Sequence, residues 1–140
     1  MENGLDRFLE AQRYNYDWAL DEIKSGKKSG HWMWYIFPQI RGLGHTETSR
    51  YYAICDIEEA KDYLKHPILG ARLKEISSEL LKLEQTDAVL IFGGIDSMKL
   101  KSCMTLFWAA DKENADIFIK VINKFFNGKY DDITLNLIKP

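Results

Sequence analysis

Pro67-Ile-Leu-Gly-Ala-Arg-Leu-Lys-Glu-Ile-Ser-Ser-Glu-Leu-Leu-Lys-Leu83 sets the fold class of this chain. Leu69, Leu73, Ile76, Leu80 and Leu83 recur at intervals of four and three, the spacing of one helix face. Lys74, Glu75, Glu79 and Lys82 take the solvent side. Pro67 suits the first helical position, where its missing N–H costs nothing. The stripe lasts barely two heptads, so it predicts a core helix and not a coiled-coil seam.

Outward from this helix, the same pattern returns. Asp56, with Glu59 three residues on, predicts a capped helix lined by Ile57, Ala60 and Leu64. Upstream, Leu5 to Arg13 and Tyr16 to Ser25 both have helical spacing, as two helices or one, and Gly26 is placed to end the second. Downstream, Thr86 to Phe92 is an apolar run closed by Gly93-Gly94, readable as a Thr86-capped helix or a buried strand. Asp96 suits the cap of a helix through Ala110, with Leu100, Cys103, Met104 and Phe107 inward. Met98, Leu106 and Trp108 make that helix apolar nearly all round. Asn114 is the expected cap of a helix carrying Ile117, Phe118, Val121, Ile122 and Phe125, and Gly128 its end. Asp131-Asp132 opens a last short element, helix or strand. The expected fold is mainly α, a single helical domain over residues 1–140 with at most a small β element; α+β is the alternative.

His31-Trp-Met-Trp-Tyr-Ile-Phe-Pro-Gln39 resists this reading. It is apolar at nearly every position, so periodicity does not separate helix from strand. Aromatic content and Pro38 favour an irregular or extended segment. Extended, it places Trp32 and Trp34 on one face and His31, Met33, Tyr35 and Phe37 on the other. Each aromatic ring buries roughly 150–250 Å² when folded inward. The segment is therefore core or pocket wall. Arg41 to Ser49 follows as a glycine-containing loop, a candidate ligand loop.

Composition sets limits. Apolar residues make up 46% of the 140 and charged residues 29%, as in an ordinary globular protein. A formal net charge of −2 argues against a nucleic-acid partner held by bulk positive charge. No apolar run reaches the roughly 18 residues of a membrane span. Met1 to Asp6 shows no signal pattern, and cytoplasmic localisation is expected. Cys55 and Cys103 lie in apolar contexts without metal spacing, so buried, reduced thiols are expected, with no metal and no cofactor.

One constellation points to chemistry. On the Asp96 helix, Lys99, Ser102 and Thr105 climb one side three residues apart. Either the hydroxyls bond back to the helix while Lys99 reaches solvent, or the ladder faces a pocket. In the second case Lys99 and Arg41 meet an anionic group, and Ser102 and Thr105 orient it. Trp34 or Phe37 stacks a planar ligand, with Gln39, Gly42 and Gly44 at the contact. His31 and Asp96, beside Lys99, are the candidates for proton transfer.

The motifs His31-Trp-Met-Trp-Tyr-Ile-Phe-Pro-Gln39, His66-Pro-Ile-Leu-Gly-Ala-Arg-Leu73 and Lys99-Leu-Lys-Ser-Cys-Met-Thr-Leu-Phe107 resemble a bacterial domain-of-unknown-function family. Its members are often labelled "calpastatin". That label fits poorly: such inhibitors are long, proline-rich and disordered, whereas this chain is rich in aromatics. Thr46 stands where the family usually has Ser, and Cys103 where a small residue is usual. The order of features is also similar to the ADP-ribose-associated N-glycosidase-like fold. That similarity implies a nucleotide- or ADP-ribose-like ligand and a hydrolase or N-glycosidase-like reaction. A non-catalytic ligand-binding or protein-interaction domain is the alternative.

Overall fold

Asp6–Ser25 forms the first and longest helix, α1, in the computed structural model, which describes residues 4–139. The two N-terminal stretches therefore run together, and Gly26, at φ +84°, ends the helix by donating to the Glu22 and Ile23 carbonyls. The chain continues through α2 (Met33–Ile36), α3 (Glu47–Tyr51), α4 (Ile57–Lys65), α5 (Leu69–Lys82) and α6 (Ala88–Phe92). After α7 (Gly94–Ala110) come a 3₁₀ turn (Lys112–Asn114), α8 (Asp116–Phe126) and α9 (Asp132–Leu137). Among the described residues the β element shrinks to one parallel bridge, Ile40 with Ile54. The fold is mainly α.

α7 is the centre. It packs against α4, α6, α8 and α9, so beyond its first turn, where Ile95 and Met98 are exposed, little of it faces water. That is why its sequence lacks a polar face: Leu100, Cys103, Met104, Leu106 and Phe107 are all buried. A run of rings crosses the core around it. Phe8 of α1 meets Tyr63 of α4 edge-on at 5.2 Å, Tyr63 meets Phe107 at 5.1 Å, and Phe107 meets Phe118 of α8 at 6.2 Å. The stripe on α5 is buried at Leu69, Leu73, Ile76 and Leu80. Its first turn approaches α4 so closely that a Cβ on Gly70 would lie 2.1 Å from the Leu64 carbonyl oxygen. Only glycine fits there.

Local details depart from expectation at several helix starts. Asp56 does cap α4, accepting from the Glu59 N–H at 2.9 Å, while Glu59 takes the Cys55 N–H at 2.8 Å. The 86–92 run is a helix, but Asp87 and not Thr86 caps it. α7 begins at Gly94, so Asp96 lies inside its first turn instead of capping it. Asn114 closes the 3₁₀ turn, and α8 begins past it with no side-chain cap. Asn127 adopts the left-handed conformation that ends α8, followed by Gly128 at φ +74°. The last element is helical and capped by Asp131. Cys103 is a buried free thiol, but Cys55 is exposed, because it stands on the surface turn before α4.

The aromatic segment contains a helical turn where an irregular or extended segment was expected. One α-turn at Met33–Ile36 is held to α1 by Gln12, whose buried amide donates to the Tyr35 carbonyl at 2.7 Å and the Tyr63 hydroxyl at 3.1 Å. Its entry is fixed by Glu22. That carboxylate accepts from the Ser29 N–H at 2.8 Å and the Gly30 N–H at 2.9 Å. The Ser29 hydroxyl and the Trp32 indole N–H also donate to it, each at 2.9 Å. Burial alone would raise its pKa, but the four donors outweigh burial and hold it near 2, against 4.5 for a free glutamate.

A carboxylate whose pKa is lowered by folding stabilises the native state above the unfolded pKa, and loses that contribution as pH falls toward the folded value. Glu22→Gln is therefore expected to cost about 1 kcal/mol at pH 7, roughly 3 °C in Tm for a chain of this size. Thermal melts from pH 7 downward should show the gap to wild type intact above about pH 4.5 and closing toward pH 2. A gap independent of pH would place the effect elsewhere.

Candidate functional site

Trp34 is the member of the aromatic segment that points outward. It is half-buried, and it forms one wall of a cleft of about 400 Å³. The 43–49 stretch of loop and α3 forms a second wall. α7 contributes Lys99 and Ser102, and the start of α9 contributes Asp131 and Ile133. The volume is in the range of small-molecule sites.

The expected polar ladder on α7 divides by depth. Lys99 lines the cleft with its ammonium 5.3 Å from the Trp34 ring centroid and 3.6 Å from Asp96 Oδ1. Ser102, one turn further in, bonds back to the Met98 carbonyl at 3.2 Å and lies 3.3 Å from Asp131 Oδ2. Thr105 is fully buried and does not reach the cleft. Its hydroxyl donates to the Lys101 carbonyl at 2.8 Å and accepts the Asp131 N–H at 2.9 Å. Both readings of the ladder thus hold at different rungs: the hydroxyls bond back to the helix, and the upper two residues face a cavity.

Asp131 is the group that sequence reasoning missed. The sequence marks it only as the opening of a short element, helix or strand. Its Oδ2 accepts from the Thr134 N–H at 3.0 Å and the Thr134 hydroxyl at 2.6 Å, besides facing Ser102. Oδ1 has no donor among the described residues, and Asp131 lines the cleft. The available signal was the pair Ser102 and Thr105 itself. Buried hydroxyls on a largely apolar helix call for a polar partner, from the helix itself or from another element.

Gln39 and Gly44 also line the cleft. The Gln39 carboxamide makes no hydrogen bond among the described residues, so its donor and acceptor are both available. Arg41 and Gly42 lie in a smaller adjoining niche that shares Trp34, Gln39, Gly44 and Ser49 with the cleft. The remaining expected residues are elsewhere. Phe37 is completely buried, 6.2 Å from Trp32 and edge-on to Phe92 at 6.0 Å, so it is core and offers no stacking face. His31 is exposed at the entry to the aromatic turn and does not line the cleft. Asp96 stands behind Lys99, bridging it to Lys28 at 2.8 Å; held by two ammonium groups, it positions Lys99 and does not line the cleft. Lys28 is itself fixed over Trp32, 5.0 Å from the ring centroid.

Residues 2–138 match the family described as "Protein of unknown function (DUF1810)". The chain belongs to this family. No curated protein matches it. Among solved structures, this DUF1810 chain is similar to the conserved hypothetical protein Rv1873 from Mycobacterium tuberculosis. The two are 40% identical over 96% of this chain and 95% of that one, with a TM-score of 0.93. No helix among the described residues of the DUF1810 chain is long and apolar enough to cross a membrane. Nor does any group of His, Cys, Asp and Glu side chains among them form a metal-binding cluster.

Thr105→Val tests the seam beneath the cleft. It keeps shape but leaves the Asp131 N–H without its acceptor, and an unpaired buried donor costs about 1–3 kcal/mol. Denaturant unfolding should show a loss in that range. A change within ±0.5 kcal/mol would show that the Thr105–Asp131 bond carries little.

Proposed function

We propose that the cleft binds a small anionic, nucleotide-like ligand. The observation that supports this is the convergence of Trp34, Gln39, Lys99 and Asp131 from separate elements on one cavity. A planar base finds the indole of Trp34, and a phosphate or carboxylate finds the Lys99 ammonium. A hydroxyl or amino donor, such as a ribose diol, finds Asp131 Oδ1. Trp34 and Lys99 are already in contact, so the aromatic and anionic parts of the ligand are adjacent, as in a nucleotide or ADP-ribose.

A hydrolase or N-glycosidase-like reaction is the second reading, and Asp131 favours it. A fixed carboxylate in a cleft stabilises the positive charge that develops at a glycosyl carbon as its bond breaks. Lys99 then binds substrate, and the proton-transfer role expected of His31 and Asp96 passes to Asp131. Without turnover, the same residues describe a binding or sensing domain.

The two readings separate experimentally. AMP, ADP and ADP-ribose should raise Tm; a ligand at one hundred times its Kd adds roughly 2.7 kcal/mol. Lys99→Met should abolish that rise while costing under about 1 kcal/mol of intrinsic stability, as for a partly exposed ion pair. Leu73→Ala, a core change, should instead cost about 2–5 kcal/mol and leave the response in place. If none of the three ligands shifts Tm, the nucleotide reading fails. Release of free adenine by wild type, with water adding to the sugar carbon it leaves, lost in Asp131→Asn with binding retained, is the outcome expected of catalysis; binding without release makes this a non-catalytic site.

A further inference from the structure

We infer that Asp131 reads a sugar hydroxyl, so that the cleft selects a ribonucleotide over its deoxy analogues. This rests on the reading of the cleft as a nucleotide-like site and names the sugar that the site selects.

A carboxylate is rarely buried without a partner of opposite charge. Asp131 is only 9% exposed, yet it makes no ion pair among the described residues. Lys99, which also lines the cleft, is paired with Asp96 instead. Oδ2 accepts from the Thr134 N–H and the Thr134 hydroxyl and faces the Ser102 hydroxyl. Oδ1 has no donor among the described residues. A carboxylate this deep in the wall of a cleft of about 400 Å³ therefore has one acceptor still to be paired. Solvent can pair it in the open cleft. A ligand that displaces that solvent must bring the donor itself.

The carboxylate is also held in place before any ligand arrives. The Asp131 N–H donates to the buried Thr105 hydroxyl at 2.9 Å, and the Asp131 carbonyl accepts the Leu135 N–H at 3.1 Å. With the backbone and Oδ2 both tied, the side chain has little rotamer freedom left to lose on binding. A fixed acceptor rewards a ligand with a hydroxyl at one place and penalises an analogue that lacks it, because the analogue leaves the acceptor unpaired. Lys99 stands one turn of α7 before Ser102, and Ser102 meets Asp131, so the three belong to one wall of the cleft. In a nucleotide the ribose joins base to phosphate. With the base at Trp34 and the phosphate at Lys99, the ribose is the part left to reach Asp131.

Isothermal titration of the full chain with AMP, 2′-deoxy-AMP and 3′-deoxy-AMP tests this. Wild type should bind AMP roughly tenfold or more tightly than at least one deoxy analogue, the value of a hydrogen bond to a charged acceptor. That comparison needs no variant. In Asp131→Asn only the amide oxygen can accept from Thr134, so it keeps the place of Oδ2 and the NH2 group takes that of Oδ1. The variant should bind AMP about as weakly as wild type binds the disfavoured analogue, and the preference should disappear. Lys99→Met should weaken all three nucleotides and leave the preference in place. Ribose 5-phosphate, which has no base to stack, should bind wild type and lose affinity in Asp131→Asn. Equal binding of AMP and both deoxy analogues, or a preference that survives in Asp131→Asn, overturns the inference while the nucleotide reading stands. Ribose 5-phosphate binding that depends on Asp131, without nucleotide binding, overturns the nucleotide reading while the sugar contact stands. No binding by any of these ligands overturns both.

Discussion

The hydrogen bond from the Asp131 N–H to the Thr105 hydroxyl joins the core of this protein to its cleft. α7 is enclosed by four helices, and most of its surface is hydrocarbon. Two hydroxyls on such a helix must be satisfied locally or from a neighbour, because each unpaired buried polar group costs about 1–3 kcal/mol. Ser102 and Thr105 use both routes: each bonds back one turn, and each meets Asp131. That second contact sets where α9 begins. It also commits one carboxylate oxygen to three donors and leaves the other without one. The uncommitted oxygen is thus a consequence of how the central helix is buried.

A similar logic fixes Lys99. A free lysine near a surface samples many rotamers, and a binding site that depends on it must order it first. Here Asp96 holds its ammonium from one side and the Trp34 ring lies against it on another. Asp96 is held in turn by Lys28, which is almost wholly buried and lies over Trp32. The turn that presents Lys28 is tied to α1 by Glu22. A chain of opposite charges therefore runs from the first helix to the cleft, through groups whose positions are set by backbone hydrogen bonds.

Helix content was legible in the sequence because five segments carry a 3.6-residue period or an acidic cap. Period and cap both arise from local geometry, so one sequence suffices to see them. Helix starts were less legible: Asp96 and Asn114 are good capping residues that the chain uses inside a first turn and at the end of a 3₁₀ turn. Glycine at φ +86° before α7 replaced the side-chain cap, a choice governed by how α6 and α7 meet. Lys99, Ser102, Trp34, Gln39 and Gly44 were named as site residues and do line one cleft. Asp131 was not, because its role depends on a contact across 29 positions of sequence. Nothing local marks it apart from an ordinary cap.

The aromatic segment shows why the helix-or-strand question mattered for the site and not only for the fold. In an extended strand, alternate residues share a face, so Trp32 and Trp34 would point the same way, both into the core or both out. In a helical turn, residues two apart differ by about 200°, nearly opposite directions. The chain takes the second course. Trp32 is completely buried beneath Lys28, while Trp34 opens onto the cleft beside Lys99. One turn of helix, pinned by Gln12 at Tyr35 and by Glu22 at Trp32, thus lets a single stretch of sequence serve as core on one side and cavity wall on the other. The choice between those two roles, open in the sequence, is resolved by using both.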